Sequence, residues 1–116
     1  WGTDLDIYDP DRLPTGTKLQ LEPWEYQPGG WFAALSDWLE AHMGDYGFFL
    51  PFRGESAGVA HEPWHISFAP QSQTLRTDAD ALAELLQMSD IEGKAAILPR
   101  LAELLERYGA ISAPKE

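Results

Sequence analysis

Pro63 restricts the fold of this chain more than any other residue, because it stands inside the string His61-Glu62-Pro63-Trp64-His65. Proline cannot donate the backbone hydrogen bond of an interior helical position, and it pushes the preceding residue towards extended geometry. Apolar and polar residues then alternate from Trp64 to Phe68, which is the period of a β-strand. We therefore predict a bend at Glu62-Pro63 followed by a strand, with His65 on the polar face of that strand.

The same string reads HExxH, a pattern that on a helix binds zinc through both histidines. A strand does not place His61 and His65 one helical turn apart, so it excludes that arrangement. It allows another, in which the bend lets Glu62 and His65 converge on one point. There a histidine can bind zinc while the carboxylate takes a proton from a bound water. The string alone leaves open a plain alternative, a half-buried strand histidine beside a loop carboxylate.

Charge and composition exclude several classes of function. The formal net charge is -11, whereas nucleic acids and anionic membranes attract basic surfaces. We therefore expect no nucleic-acid partner. No apolar run approaches membrane-spanning length, so we also expect no membrane insertion. The absence of cysteine removes disulfides, thiolate zinc sites and cysteine nucleophiles.

Short strands and one helix precede Pro63. The first strand alternates, with Leu5 and Ile7 on the apolar face and Asp4 and Asp6 on the polar face. The other predicted elements are a strand or extended segment at Lys18–Glu22, a helix at Trp31–Met43 and a strand at Phe48–Phe52.

The sequence also predicts which side chains form the core. The helix carries an apolar stripe at helical spacing, formed by Trp31, Leu35, Trp38, Leu39 and His42. We expect Leu35, Trp38 and Leu39 to cover the apolar face of the sheet. The buried side chains of that face are predicted to be Leu5, Ile7, Trp64, Ile66 and Phe68.

The last third of the chain is predicted to be helical. Thr77 can cap one helix, and the sequence from Ser89 to Glu92 fits a capping box for a second. Pro99 should kink or split that second helix, and the tail at Ser112–Glu116 should fray. The predicted fold class is α+β, a small antiparallel sheet packed by helices and followed by two C-terminal helices.

Two segments together resemble a known family. They are GTDLDIYD, beginning at Gly2, and EPWHISFA, beginning at Glu62. The pair is similar to the zinc D-Ala-D-Ala carboxypeptidases, which share a fold with the hedgehog signalling domain. That family's pattern is a histidine, two residues, a glycine, three residues and an aspartate, and far downstream Glu-x-x-His. The resemblance implies that Asp6 and His65 bind zinc and that Glu62 is the catalytic base.

The resemblance also implies a missing ligand. The pattern places the first zinc histidine two positions upstream of Trp1, and His42 and His61 match no position of it. We therefore expect this chain to be the C-terminal portion of a single peptidase-like domain, with a core at 1–70 and a helical part at 75–109. On this interpretation the chain alone is inactive, or nearly so, because catalytic zinc normally has three protein ligands.

The implied substrate is a peptidoglycan stem peptide ending in D-Ala-D-Ala, and the implied location is the periplasm or cell envelope. Asp4 and Trp64 are candidates for contact with the substrate, although large aromatics dominate core burial and the core is the favoured place for Trp64. The alternative function is a non-catalytic module of the same fold that binds cell-wall peptides or another protein.

Overall fold

The computed structural model describes residues 1–54 and 58–109, and their architecture is α+β. Three short strands form one antiparallel sheet in the order β1-β3-β2. They are β1 at Asp4–Asp6, β2 at Phe48–Phe49 and β3 at His65–Phe68. The last strand along the chain is therefore the central strand of the sheet.

Helices surround this sheet and continue beyond it. The first three are α1 at Pro23–Tyr26, α2 at Ala33–His42 and α3 at Ala69–Ser72. The last three are α4 at Ala79–Met88, α5 at Lys94–Ile97 and α6 at Leu101–Gly109. Two single 3₁₀ turns, at Met43–Tyr46 and Leu98–Arg100, join α2 to β2 and α5 to α6. In the described ranges, none of the helices is both long and apolar enough to cross a membrane.

The strand predicted after Pro63 is confirmed. The backbone ladder between β1 and β3 continues past both ends of β1, with the Ile7 N–H donating to the Trp64 carbonyl at 2.9 Å and the Phe68 N–H donating to the Thr3 carbonyl at 2.9 Å. Pro63 itself is buried in the turn that leads into β3. The HExxH string is therefore a turn and a strand, and the helical interpretation is excluded.

Two groups of apolar side chains form the core. One joins α2 and the 3₁₀ turn after it to the sheet through Leu39, Met43, Leu50 and Ile66. The other consists of Tyr26, Phe32 and Trp64, and Phe32 is fully buried. Phe68, predicted to be buried, is only partly so and packs on Phe48 with ring centroids 5.2 Å apart.

Two of the predicted core residues are wrong. Trp38 is 49% exposed, and its ring stacks on Tyr46 at a centroid distance of 6.2 Å. The buried stripe runs instead through Leu39 of α2 and on to Met43 in the 3₁₀ turn that follows, with Leu35 beside it. Trp38 lies about 100° around the helix from Leu39. Leu5 is 55% exposed because β1 is an edge strand, and the apolar cluster beneath α2 contains its cross-strand partner Ile66 but not Leu5.

The segment before α2 excludes one of the two predicted alternatives, the strand. Lys18–Glu22 forms no strand, and Pro23 begins a helix rather than ending a strand. The fully buried Glu25 carboxylate holds this segment, accepting hydrogen bonds from the N–H groups of Gln20 (3.1 Å) and Glu22 (3.0 Å). Gly30 is required where the chain returns, because an added Cβ would come within 2.3 Å of the Trp24 carbonyl oxygen.

Tyr26 links this segment to the first strand. Its hydroxyl donates a hydrogen bond to the Ile7 carbonyl at 2.7 Å, and its ring packs against Trp64 with centroids 5.6 Å apart. Burial raises the pKa of the Tyr26 hydroxyl well above its usual value, and the nearby carboxylates of Glu25 and Asp6 raise it further. The neutral phenol is therefore the form that the folded state favours.

The C-terminal helices are present with different boundaries. Asp78, not Thr77, caps α4, accepting from the N–H groups of Asp80 and Ala81. Ser89 ends α4 rather than opening the next helix, because its own N–H donates a hydrogen bond to the carbonyl of Leu86 at 3.2 Å. The split at Pro99 is confirmed, since the 3₁₀ turn that contains it separates α5 from α6. The predicted frayed tail at 112–116 lies outside the described residues.

A pair of substitutions in α2 tests the corrected helix face. Leu39→Ala removes a buried side chain and should lower the free energy of unfolding by about 2–5 kcal/mol. Trp38→Ala removes only exposed aromatic contacts and should cost about 0.5–1.5 kcal/mol. Urea denaturation of both variants measures the difference, and a larger loss for Trp38→Ala would contradict the assigned face.

Tyr26→Phe tests the hydrogen bond to Ile7. Losing it should lower stability at neutral pH by about 0.5–1.5 kcal/mol. A group whose pKa is raised by folding stabilises the protein below its unfolded pKa, here about 10, and this contribution is lost as pH rises above it. The wild type should therefore lose more stability than Tyr26→Phe between pH 8 and about pH 11, as denaturation across that range can measure. Parallel losses in the two proteins would show that Tyr26 does not carry the effect.

Candidate active site

Asp6 and His65 meet on the polar face of the sheet. The register pairs them directly across β1 and β3, so their side chains project from neighbouring strands to the same side. The Asp6 Oδ1 lies 2.9 Å from the His65 Nδ1. The structure thus confirms that these two residues converge, while their function as zinc ligands stays a prediction.

Glu62 reaches the same point from the turn that precedes β3. The His65 N–H donates to the Glu62 carbonyl at 3.2 Å, which closes a four-residue turn with Pro63 in its interior. The Glu62 N–H donates to the Phe52 carbonyl at 2.9 Å and fixes the start of the turn. The Glu62 Oε2 consequently lies 3.8 Å from the His65 Nδ1, on the side of the ring that Asp6 also faces.

Asp4 contacts the other nitrogen of the same ring. Its Oδ2 lies 3.0 Å from the His65 Nε2, and its Oδ1 accepts hydrogen bonds from the hydroxyls of Ser67 (2.6 Å) and Thr3 (2.8 Å). Burial alone would raise the pKa of the Asp4 carboxyl. The hydrogen bonds from Ser67, His65 and Thr3 outweigh burial, so this pKa lies below its usual value and Asp4 is ionised at neutral pH.

Two aromatic side chains flank the site. Phe52 packs on the imidazole of His65, with ring centroids 4.9 Å apart. Trp64 is 8% exposed and belongs to the core group of Tyr26 and Phe32. Its indole therefore contributes to the packing beneath the turn, and its predicted contact with a substrate stays a prediction.

The other two histidines do not join this cluster. The His42 Nδ1 lies 3.9 Å from the Asp45 carboxylate at the end of α2, and both side chains are at least half exposed. His61 is exposed next to Gly54. Neither of these two histidines is therefore among the side chains that contact His65 and its carboxylates.

The donor set fits two of the three ligands of a catalytic zinc. An imidazole nitrogen and a carboxylate oxygen are common zinc ligands, and both face one point at the edge of the cluster. Among residues 1–54 and 58–109, no group of three or more histidine, cysteine, aspartate or glutamate side chains is arranged to hold a metal ion. A third ligand at the position given by the family pattern, before Trp1, would complete the set.

A cleft of about 770 Å³ opens beside the cluster. On the sheet side it is lined by Asp4, Ser67 and Phe52, and on the helical side by Arg76, Leu105 and Tyr108 among others. Arg76 is the only lysine or arginine among the described lining residues, and its Nη1 donates to the carbonyls of Gln73 and Leu75. Sequence reasoning missed this cleft, because helical periodicity says nothing about which side of the sheet the helices face.

A glutamate beside a histidine–aspartate pair is a combination of side chains that can take part in metal-assisted hydrolysis. Comparison with known protein families identifies one of them. The model of the family described as VanY, D-alanyl-D-alanine carboxypeptidase, matches residues 1–71, which is more than half of the chain. The chain therefore belongs to this family of D-alanyl-D-alanine carboxypeptidases.

A relative extends the similarity beyond the family match. A protein of Haemophilus influenzae (strain ATCC 51907 / DSM 11121 / KW20 / Rd), described as uncharacterized, is 38% identical over 112 residues. The alignment covers 93% of this chain and 86% of that protein, so it includes most of the helical part after residue 71. No solved structure matches the chain significantly.

Proposed function

We propose that this chain carries the zinc-dependent catalytic site of a D-Ala-D-Ala carboxypeptidase that cleaves peptidoglycan stem peptides. The observation that supports this most strongly is that the carboxylates of Asp6 and Glu62 both approach the Nδ1 of His65. The family match covers the segments that supply all three residues. We extend the proposal to the overall fold, which would be that of the hedgehog and D-Ala-D-Ala peptidase domains.

Asp6 and His65 would hold the zinc ion through Oδ1 and Nδ1. The third ligand would be the histidine that the family pattern places two positions before Trp1. When bound, zinc would polarise the scissile carbonyl and lower the pKa of a coordinated water to about 7.

Glu62 would act as general base and then as general acid. Its Oε2 faces the same side of the ring as Asp6, and a carboxylate there would be placed to take a proton from a water bound at the site. Glu62 accepts a proton as the water oxygen bonds to the peptide carbonyl carbon. It then gives that proton to the leaving nitrogen as the C–N bond breaks, which releases the terminal residue as a free amine. Glu62 is then again a carboxylate and can accept a proton in the next cycle.

The cleft beside Asp4 is the proposed substrate site. Stem peptides carry carboxylates, and the terminal carboxylate defines a carboxypeptidase substrate. In a chain with a formal charge of -11, a local cation is needed to offset repulsion of such a ligand. Arg76 supplies that cation in the cleft, and a guanidinium matches a carboxylate geometrically. The corresponding location is the periplasm or cell envelope, where this substrate occurs.

A non-catalytic module that binds cell-wall peptides is the second candidate. The observation in its favour is that no group of three or more potential ligands among residues 1–54 and 58–109 is arranged to hold a metal ion. This candidate predicts peptide binding without zinc and without hydrolysis. Zinc content and cleavage of a D-Ala-D-Ala peptide separate the two functions directly.

Three substitutions test the assigned residues in a protein that includes the first histidine of the family pattern. Glu62→Gln should retain about one equivalent of zinc and lose most turnover, because a neutral amide cannot accept the proton. Asp6→Ala and His65→Ala should instead lose the metal, since each removes a ligand. Metal content by mass spectrometry and hydrolysis of a D-Ala-D-Ala peptide are measured on the same samples.

The 116-residue chain by itself serves as the comparison and should bind zinc weakly and be inactive or nearly so. Near-normal hydrolysis by Glu62→Gln would remove the proposed base. A protein with all three ligands that binds no zinc would remove the peptidase function and leave the binding module.

Arg76→Gln tests recognition of the substrate carboxylate. The variant should raise KM for a peptide with a free C-terminal carboxylate, because the paired charge is lost. The wild type should also bind that peptide more tightly than its C-terminal amide, and Arg76→Gln should abolish this preference. Calorimetric titration of the two peptides into zinc-loaded Glu62→Gln protein measures binding without cleavage. An unchanged preference for the free carboxylate would exclude Arg76 from this function.

A further inference from the structure

We propose that Asp4 is a positioning residue that fixes the ring of His65, by accepting a hydrogen bond from Nε2–H, so that Nδ1 is the nitrogen presented to Asp6, Glu62 and the metal. This inference rests on the proposed function. The family pattern gives no ligand at this position, and the proposal differs from the substrate contact that the sequence suggested for Asp4.

The two ring nitrogens of His65 face different carboxylates. Nδ1 lies 2.9 Å from Asp6 and 3.8 Å from Glu62, whereas Nε2 lies 3.0 Å from Asp4. Turning the ring by 180° would place carbon atoms where both nitrogens now lie and would break both close contacts. The orientation of the ring is therefore set from two sides, and the Asp4 side is the one away from the catalytic base.

Asp4 is itself held in place. Its Oδ1 accepts hydrogen bonds from two hydroxyls, and both donors belong to buried residues, Ser67 at 3% exposure and Thr3 at 7%. Ser67 is the direct cross-strand partner of Asp4. These contacts leave Oδ2 aimed at the Nε2 of His65. The carboxylate thus has a partner on each oxygen, as expected of a group that orients a neighbour.

The chemistry of imidazole gives this contact its consequence. A metal-binding histidine is neutral, so one ring nitrogen gives its lone pair to the metal and the other carries the proton. Metal-binding histidines commonly donate that proton to a carboxylate, which fixes the tautomer and makes the ligand more basic. With Nδ1 committed to the metal beside Asp6, Asp4 is the carboxylate placed to accept the Nε2 proton.

Zinc affinity of a protein that includes the first histidine of the family pattern provides the first measurement. Asp4→Ala should weaken zinc binding by about 10–100-fold, the usual effect of losing such a carboxylate. Asp4→Asn should weaken it less, because the amide oxygen can still accept the hydrogen bond. Asp11→Ala removes the same charge from an exposed position outside the cluster and should change the affinity less than twofold. Competition with a chromophoric chelator measures all four proteins.

A spectroscopic measurement separates positioning from general destabilisation. In the zinc-loaded wild type, ¹⁵N–¹H NMR of the His65 ring should show one N–H group, on Nε2, shifted downfield and protected from exchange. Asp4→Ala should lose that shift and that protection, while the zinc-free variant keeps a thermal unfolding profile close to that of Asp11→Ala. An affinity within twofold of wild type in Asp4→Ala, or a ring proton found on Nδ1, would overturn the inference.

The outcomes also distinguish this inference from the function on which it rests. A wild type that binds zinc and cleaves the peptide, together with an Asp4→Ala variant that shows no change in affinity or spectrum, overturns the inference alone. A wild-type protein that includes the first histidine of the family pattern and binds no zinc overturns both. A proportional loss of affinity and of folded protein in Asp4→Ala, with Asp4→Asn no better, assigns Asp4 to the stability of the sheet and also overturns the inference.

Discussion

The pairing of β1 with β3 is the interaction on which the site depends. A shift of register by one residue would send the side chains of one strand to the opposite face of the sheet. The observed register places Asp4 beside Ser67 and Asp6 beside His65, so one imidazole lies between two carboxylates. Residues about sixty positions apart in the chain thereby form a single polar cluster. Everything proposed about catalysis requires this alignment.

The turn at Glu62-Pro63 adds the third functional group without a further element of structure. Residues three apart on an ideal strand point to opposite faces, so Glu62 and His65 could not converge on a straight strand. The hydrogen bond from the His65 N–H to the Glu62 carbonyl bends the chain and brings both side chains to one side. Beneath the turn, Trp64 packs on Tyr26, and Tyr26 bonds back to β1 at Ile7. The same aromatic core thus supports both strands of the site.

The sequence was most informative where a residue has a strong local preference. Pro63 excluded a helix, alternation located β3, and Pro99 separated the last two helices, as the structure has them. Prediction was weaker where the outcome depends on tertiary packing. Trp38 and Leu5 are apolar and correctly spaced, but the helix covers the centre of the sheet and leaves both in solvent. The observed helix caps differ from the predicted ones by a residue or more, because several neighbouring side chains can supply the same hydrogen bond.

In the site itself, the family pattern indicated Asp6, Glu62 and His65. Strand parity explained why Asp6 and His65 meet, and the bend expected at Pro63 explained how Glu62 joins them. The hydrogen bond between Asp4 and His65 is a diagonal contact across two strands, which depends on the register and on side-chain rotamers that a single sequence does not reveal. The sequence did not indicate Arg76 as a cleft residue, for a different reason. It lies in a segment between helices where no periodicity applies, and only the three-dimensional path of the chain places it in the cleft.

The position of the last helices has an evolutionary consequence. The residues proposed to carry out the reaction belong to the stretch that matches the carboxypeptidase family, whereas one wall of the cleft comes from residues after it. The residues proposed for the reaction would then lie in the first part of the chain, while the walls of the cleft would be divided between the first part and the second. Under that division, substitutions after residue 71 could change which peptide is accepted while the residues proposed for hydrolysis stay the same. Relatives with divergent C-terminal halves would then be expected to differ in substrate preference rather than in reaction chemistry.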